Sequence, residues 1–249
     1  MKRHSQLFAL LITLVFSLPA FAQEYIIKEN WWMDFSGEWA GEPFMLSLNS
    51  AGEGNVVGTY CDASYDEKVR LEGTESDGHL QLDARVKDTL IGKIEGHIDS
   101  ETQVFSAGFV PVDEHVVIPL ELQYSTGSYG TPDSRYADFA ATDVEVEAFA
   151  AQIKQALQTR DYAWLAQNLA YPFNTSVKTG KNIVVKSASE FEKRKEEILP
   201  QTLVEKSRTW QTCNLWSNHN GVMLGNGEIW IKPTPLANTA LKISNIHAY

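Results

Sequence analysis

The ionisable residues that could do acid–base chemistry are scattered along the C-terminal half of this chain. They are Asp161, Tyr162, Tyr171, His219, Glu228 and His247. Acid–base catalysis needs such groups within hydrogen-bond reach of one substrate, yet Asp161 stands where it can cap a helix and His219 lies in the turn "SNHNG". The sequence has no Gly-x-Ser-x-Gly elbow, and neither Cys61 nor Cys213 has a basic neighbour to favour its thiolate. We therefore predict no catalytic residue.

The residue types that can bind metals do not occur at the sequence spacings typical of metal sites. The six histidines occur without an H-x-H or HExxH pattern, and there is no CxxC pair. The acidic segment "DASYDE" lacks the glycine and the terminal glutamate of a calcium loop. The sequence predicts neither a metal nor a cofactor.

The stretch "GVMLGNGEIWI", from Gly221 to Ile231, has the glycine content of a phosphate-binding loop. A P-loop carries Lys and Ser or Thr after its last glycine, whereas Glu228 and Ile229 follow here. A hairpin turning at the "GNG" segment would leave a strand of only three residues, because Asn220-Gly221 is already a turn signal. We therefore predict one continuous strand from Val222 to Ile231, with "GNG" as a bulge, paired with "TCNLW" and "TALKISNI".

A bulge adds one residue to a strand and so changes which side chains lie on the same face. Glu228 and Trp230 are therefore expected to face away from the apolar residues of the strand. The apolar face would carry Val222, Leu224, Ile229 and Ile231. In one interpretation the bulge only bends the sheet and Glu228 is solvated. In the other, Trp230 and Trp216 form an aromatic wall for a ligand or partner. The candidate binding residues are Trp230, Glu228, Trp216, Tyr171 and Tyr162.

Two kinds of hydrophobic pattern divide the chain into two domains. Residues 30–126 alternate in period two, as in "HLQLDARV" and "VVIPLELQY", with turn residues about every ten positions. This pattern predicts an all-β domain, a small antiparallel barrel. A polar segment, residues 127–142, is expected to be a linker. Residues 143–249 predict an α+β domain with three helices and a curved sheet, in which Asp143 caps the first helix.

The N-terminus has the pattern of a cleaved signal peptide. Lys2 and Arg3 precede the uncharged segment "LFALLITLVFSL", and Ala20 and Ala22 form an A-x-A cleavage site. The apolar segment is shorter than the roughly 20 residues that span a bilayer. We expect cleavage after Ala22, a periplasmic or secreted protein, and no membrane insertion after the signal peptide is removed.

Charge and cysteine content restrict the partners. Loss of Lys2 and Arg3 with the signal peptide takes 21 basic residues to 19 against 32 acidic ones, a net charge of −13. Such a chain is not drawn to nucleic acid or to an anionic membrane surface. Cys61 and Cys213 fall in different domains, and an oxidising compartment leaves open either a disulfide between them or two buried thiols.

The segments "VEAFAAQIKQALQTRDYAWLAQNLAYPF", "SEFEKRKEEIL" and "NGVMLGNGEIWI…LKISNI" resemble the cone-fold superfamily of nuclear transport factors and ketosteroid isomerases (SnoaL-like proteins). This resemblance implies a sheet wrapped around helices, with a pocket at its open end. In the N-terminal domain, "FSGEW" and "GNVVGTY" resemble avidin-like and lipocalin-like barrels.

Together these patterns favour an exported envelope protein that binds an unknown small molecule or envelope protein in its C-terminal cone. The alternative is an isomerase-like or cyclase-like enzyme that acts on a small apolar substrate in the same pocket. That enzyme would need an acid or base and a Tyr or Asp donor converging inside the cone.

Overall fold

The computed structural model describes residues 25–39, 41–62, 68–177, 180–233 and 240–248. The expected signal peptide, residues 1–22 with its cleavage site at Ala22, lies outside the described residues. The chain forms two domains, a closed antiparallel barrel followed by a mixed sheet with helices. Among the described residues, no helix is both long and apolar enough to cross a membrane.

The barrel has eight strands joined in chain order, and its last strand pairs with its first. The strands are β1 (Trp31–Trp39), β2 (Glu42–Gly52), β3 (Asn55–Tyr60), β4 (Val69–Ser76), β5 (His79–Val86), β6 (Thr89–Ile98), β7 (Val104–Pro111) and β8 (Ile118–Tyr129). All neighbours are antiparallel. Closure leaves no unpaired sheet edge. The predicted antiparallel barrel is confirmed.

Apolar and polar residues alternate along the barrel strands, and the apolar side chains form the barrel interior. Leu80, Leu82 and Ala84 on β5 are buried, and the residues between them are not. The predicted alternation of the last strand begins too early, because Val116 is exposed and β8 starts only at Ile118. At its other end β8 runs to Tyr129, beyond the expected domain boundary at residue 126.

Aromatic rings fill much of the barrel. Phe35 packs edge-on against Phe105 and Tyr124, with 5.9 Å between ring centroids in both pairs. Trp39 lies 4.8 Å from Phe44, again edge-on. Edge-to-face packing of this kind stabilises a core beyond simple area burial. The interior is therefore largely occupied by the chain's own side chains.

In its described residues, the C-terminal domain contains four helices and a six-stranded sheet. Its elements are α1 (Asp143–Thr159), α2 (Tyr162–Asn168), β9 (Leu169–Ser176), β10 (Asn182–Val185), α3 (Ala188–Ile198), α4 (Gln201–Ser207), β11 (Ser217–Asn218), β12 (Gly221–Leu224), β13 (Ile229–Pro233) and β14 (Leu241–His247). The strand order is β10-β9-β14-β13-β12-β11, and β14 runs parallel to β9.

The helix count and one cap differ from the prediction of three helices with Asp143 as the first cap. Thr142 caps α1, and its side chain accepts the N–H of Glu145 while the Glu145 carboxylate accepts the N–H of Thr142. Asp143 instead accepts the backbone N–H of Arg135 at 2.9 Å. α3 ends at Ile198, and Pro200 is the N-cap residue of the short helix α4, where it makes no side-chain cap hydrogen bond.

The stretch Gly221–Ile231 is a hairpin, so the predicted single strand with a bulge is wrong. Val222 pairs with Ile231 and Leu224 with Ile229 across a turn at residues 225–228. The turn closes because its two glycines take positive φ angles, +73° and +92°. The shared buried face of the four apolar residues is confirmed, since opposed residues of an antiparallel pair point to the same side.

The segment "TCNLW", residues 212–216, is not a strand, contrary to the prediction. On the side of β12 opposite β13, the pairing strand is the two-residue β11, which begins after this segment. The backbone N–H of Asn214 donates to the Glu147 carboxylate at 2.7 Å, and that of Leu215 donates to the Tyr136 hydroxyl at 2.8 Å. Because these two backbone N–H groups donate to side chains, they do not form the hydrogen bonds that would join a strand to its neighbour.

Candidate functional site

A buried ion pair joins the two domains. The Arg135 guanidinium donates to both carboxylate oxygens of Asp34, from Nη1 at 2.9 Å and from Nη2 at 2.7 Å. The Ser47 hydroxyl donates to the same carboxylate, and Arg135 Nε donates to the carbonyl of Leu215 at 2.8 Å. Burial lowers the pKa of Arg135, but the Asp34 carboxylate more than offsets this and the pKa is raised overall. Arg135 therefore stays charged inside the interface.

A second polar cluster lies beside the ion pair. The Tyr136 hydroxyl donates to Glu147 Oε1 at 3.0 Å, and Lys68 Nζ from the barrel lies 2.6 Å from the same oxygen. Burial raises the pKa of Tyr136 well above its ordinary value, and the Glu147 carboxylate raises it further. Tyr136 is therefore a permanent hydrogen-bond donor. The segment expected to be a linker is part of the interface.

A disulfide joins the same two surfaces. Cys61, just after β3, is bonded to Cys213, with 6.7 Å between their Cα atoms. Next to it, Thr59 Oγ1 donates to Asn214 Oδ1 at 2.9 Å, and Asn214 Nδ2 donates back to the Thr59 carbonyl at 3.2 Å. The two domains are therefore held in one arrangement by a covalent bond and by matched hydrogen bonds.

An open cleft of about 550 Å³ lies between the barrel and the C-terminal domain. The barrel wall is formed by residues of β1 and β2. The other wall is formed by the chain after α4 and by the turn at residues 225–228. We call this space the interdomain cleft, and its lining residues are Ser36, Gly37, Pro43, Phe44, Met45, Lys206, Thr209, Trp210, Gln211, Cys213, Asn214, Leu215, Gly225, Asn226 and Glu228.

Glu228 is the one candidate binding residue that lines this cleft. It is buried rather than solvated, with 6% of its surface exposed. Its Oε1 lies 3.1 Å from Lys206 Nζ, and its Oε2 accepts the N–H of Asn226 across the turn. These contacts stabilise the hairpin turn and place a paired carboxylate at the edge of the cleft.

Trp216 and Trp230 form an aromatic pair outside the lining of the interdomain cleft. Their ring centroids are 6.2 Å apart with the rings nearly perpendicular. Trp216 Nε1 donates to the carbonyl of Gly127 in β8 at 2.8 Å. The indole of Trp216 is thus committed to a contact between the domains, and both rings are half-buried.

Tyr162 and Tyr171 lie together near α3, apart from the cleft lining. The ring of Tyr162 is 4.7 Å from Lys195 Nζ, a cation–π contact. The Tyr171 hydroxyl donates to the carbonyl of Ala166 at 3.0 Å, and burial with the nearby Glu192 carboxylate raises its pKa to about 12. Both side chains serve the packing of α2, β9 and α3, so the structure divides the five candidates among three places.

A Ser–His–Asn cluster on β9 and β14 was not found by sequence reasoning. Asn245 Oδ1 accepts the N–H of Ile246, so its Nδ2 faces His247 Nε2 at 2.9 Å. The Nε2 atom must then accept, and the proton of the neutral imidazole lies on Nδ1, 3.0 Å from Ser176 Oγ. Burial lowers the pKa of His247 and favours this neutral form. The imidazole donates to the hydroxyl and does not act as its base.

A second cavity, of about 480 Å³, lies at the end of the barrel where β1 begins. We call it the mouth cavity. The chain before β1 crosses this end, because the Glu75 carboxylate accepts the backbone N–H groups of Ile26 and Ile27, both at 3.1 Å. The cavity is lined by Tyr25, Ile26, Lys28, Trp31, Met33, Phe35, Asp77, His97, Ile98, Ser100, Gln103 and Tyr124.

Among the described residues there is no cluster of three or more His, Cys, Asp or Glu side chains suited to a metal ion. In the interdomain cleft, the Glu228 carboxylate is already engaged by Lys206. The cleft offers hydrogen bonds and an indole surface, which are the means of binding. No family model, curated protein or solved structure matches this chain.

Proposed function

We propose that this chain is an exported, non-catalytic binding protein of a bacterial envelope, and that it holds a small polar ligand in the interdomain cleft. The observation that carries the proposal is the cleft itself, about 550 Å³ between two domains joined by the Cys61–Cys213 disulfide. Ligand sites occur preferentially between domains. A site whose walls are already fixed loses little freedom when a ligand binds.

The lining of the cleft defines the ligand chemistry. Hydroxyl and amide side chains predominate on the polar part of the surface: Ser36, Thr209, Gln211 and Asn226. Trp210 adds an indole beside the turn glycine Gly225. Glu228 and Lys206 neutralise each other. This surface suits a compact, uncharged or zwitterionic molecule with several donors and acceptors, such as a sugar, a polyol or a short peptide.

Two further observations support the export and family parts of the proposal. A disulfide persists in an oxidising compartment, which agrees with the signal-peptide pattern at the N-terminus. The combination of helices with a six-stranded sheet that has a register shift between β13 and β14 supports a cone-shaped C-terminal domain of the nuclear-transport-factor and ketosteroid-isomerase kind. The function proposed here does not require that likeness.

Thermal unfolding of the mature protein with a panel of monosaccharides, disaccharides, polyols and dipeptides tests the proposal. We expect at least one compound to raise the melting temperature, because a ligand that binds only the folded state stabilises it. Thr209 is exposed at the cleft, so Thr209→Trp should fill the space and abolish that rise. Val144 is exposed at the start of α1, and Val144→Trp is the matched control.

Three results would count against the proposal. If no compound in the panel stabilises the natural protein, the ligand class is wrong. If a compound stabilises the Thr209→Trp variant as much as the natural protein, the cleft is not the site. If the natural protein converts a stabilising compound into a product, the protein is an enzyme.

A further inference from the structure

Two histidines face each other on the outer surface of the barrel. His79 begins β5, and the strand register places it directly opposite His97 of β6. Both side chains are exposed, and their ring centroids are 4.6 Å apart with 41° between the ring planes. Imidazoles in opposed positions of an antiparallel pair project to the same side of the sheet.

The ring separation fits chelation of one metal ion. A metal about 2 Å from each ligating nitrogen lies about 3.2 Å from each ring centroid. Two such centroids 4.6 Å apart subtend about 90° at the metal, the angle between neighbouring ligands in square-planar and octahedral complexes. A tetrahedral ion prefers a wider angle. The geometry therefore favours Cu²⁺ or Ni²⁺ over Zn²⁺.

The backbone beneath the two rings is fixed. Gly78, in the turn before His79, donates its N–H to the buried Glu75 carboxylate at 3.2 Å and accepts the N–H of Ile98 at 2.8 Å. A Cβ at residue 78 would lie 2.8 Å from His97 Cε1. The His97 ring therefore packs on this glycine.

The surrounding charge favours a cation. Asp99 lies two residues after His97, and its carboxylate accepts hydrogen bonds from the backbone N–H of Thr102 at 2.6 Å and from the Thr102 hydroxyl at 2.7 Å. Asp77 lies in the turn between β4 and β5, and with His97 it lines the mouth cavity. Lys28 is the basic residue of that lining. The acidic chain adds long-range attraction for a divalent ion.

We propose that His79 and His97 form a binding site for a late first-row divalent metal ion, with Cu²⁺ bound most tightly, at the rim of the mouth cavity. The two imidazoles supply neighbouring nitrogen ligands, and water fills the remaining positions. The site is independent of the interdomain cleft.

Equilibrium dialysis of the untagged mature protein against copper(II), nickel(II) and zinc(II) chlorides, each in turn at pH 7.5, tests this proposal. We expect His79→Asn and His97→Asn each to raise the dissociation constant of one Cu²⁺ ion by about tenfold or more, at least the loss caused by removing a supporting group. His115 is a single exposed histidine in the loop between β7 and β8, and His115→Asn should bind as the natural protein does.

Electron paramagnetic resonance of the copper-loaded protein provides a second readout. The spectrum should show two equatorial nitrogen ligands in the natural protein and one in each single variant of the pair. The proposal is overturned if either single variant keeps the natural affinity, if His115→Asn loses copper equally, or if Zn²⁺ binds more tightly than Cu²⁺. The exposed positions of His79 and His97 make unfolding of the variants unexpected, and circular dichroism checks this.

Discussion

The carboxylate of Asp34 and the guanidinium of Arg135 form a two-point ion pair with 1% of each side chain exposed to solvent. Asp34 lies on the outer face of a barrel strand, and Arg135 lies in the chain that leaves the barrel. The ion pair therefore joins the barrel to the chain segment that follows it in the sequence. Its burial makes it more sensitive to mutation than a surface pair.

Replacement of Asp34 by Asn should destabilise the folded protein by about 3–5 kcal/mol, because it leaves the Arg135 charge buried without a partner. Urea unfolding monitored by fluorescence measures the change in free energy. The exposed pair Arg70–Asp88 offers a matched control, and Asp88→Asn should leave the unfolding midpoint nearly unchanged. Equal effects of the two substitutions would show that burial does not govern the contribution of Asp34.

Removal of the disulfide by Cys61→Ala and Cys213→Ala should also destabilise the protein. The bond closes a loop of 152 residues, for which chain entropy predicts a contribution of about 5 kcal/mol. The variant with both substitutions should unfold at the urea concentration at which the natural protein unfolds once a reducing agent has broken its disulfide. Two free thiols by mass in the unreduced, denatured natural protein would show that the bond does not form.

Gly225→Ala should destabilise the turn between β12 and β13 more than Gly227→Ala. Both glycines have positive φ, so both substitutions strain the backbone. Only at Gly225 would the new Cβ also collide with Trp210, 2.7 Å from its Cε2 atom. We expect a difference of at least about 1 kcal/mol, the cost of overpacking, and a change in tryptophan fluorescence for Gly225→Ala. If the two substitutions destabilise the protein equally, the Trp210 indole moves aside without an energetic cost.

His247 should make the stability depend on pH. Burial lowers its pKa in the folded state below its ordinary value of 6.5, so the unfolded chain binds the proton more readily. The contribution of neutral His247 is complete above about pH 6.5 and is lost as the pH falls toward the folded-state pKa. His247→Gln should remove this part of the pH dependence between pH 7.5 and pH 5. The exposed His219 serves as a control, and His219→Gln should keep the full pH dependence.

Local patterns predicted the elements that depend on local spacing. Alternation along β5 gave its buried face, and Asp161 was placed correctly as the cap of α2. The hairpin at residues 221–231 was missed because a bulge and a turn both use glycines in the same positions. The contact of Glu228 with Lys206, a residue of α4, supports the turn, and no local pattern contains it.

The interdomain cleft could not be predicted from the sequence, for a related reason. Its walls come from segments about 160 residues apart in the chain, and both are placed by the domain interface. Arg135 sits in a polar, glycine-rich segment whose composition is typical of a linker. Its burial depends on Asp34, a partner 101 positions earlier. Composition alone does not distinguish a buried arginine from a solvated one.

The position of β14 between β9 and β13 has a consequence for biosynthesis. Every barrel strand emerges from the ribosome by Tyr129, whereas the C-terminal sheet remains two separate strand groups until residues 241–247 are made. Nascent C-terminal segments therefore carry unpaired strand edges until β14 has been synthesised. A nonsense mutation that removes β14 should leave a chain with an intact set of barrel strands and a divided sheet, which would be a substrate for proteases and chaperones.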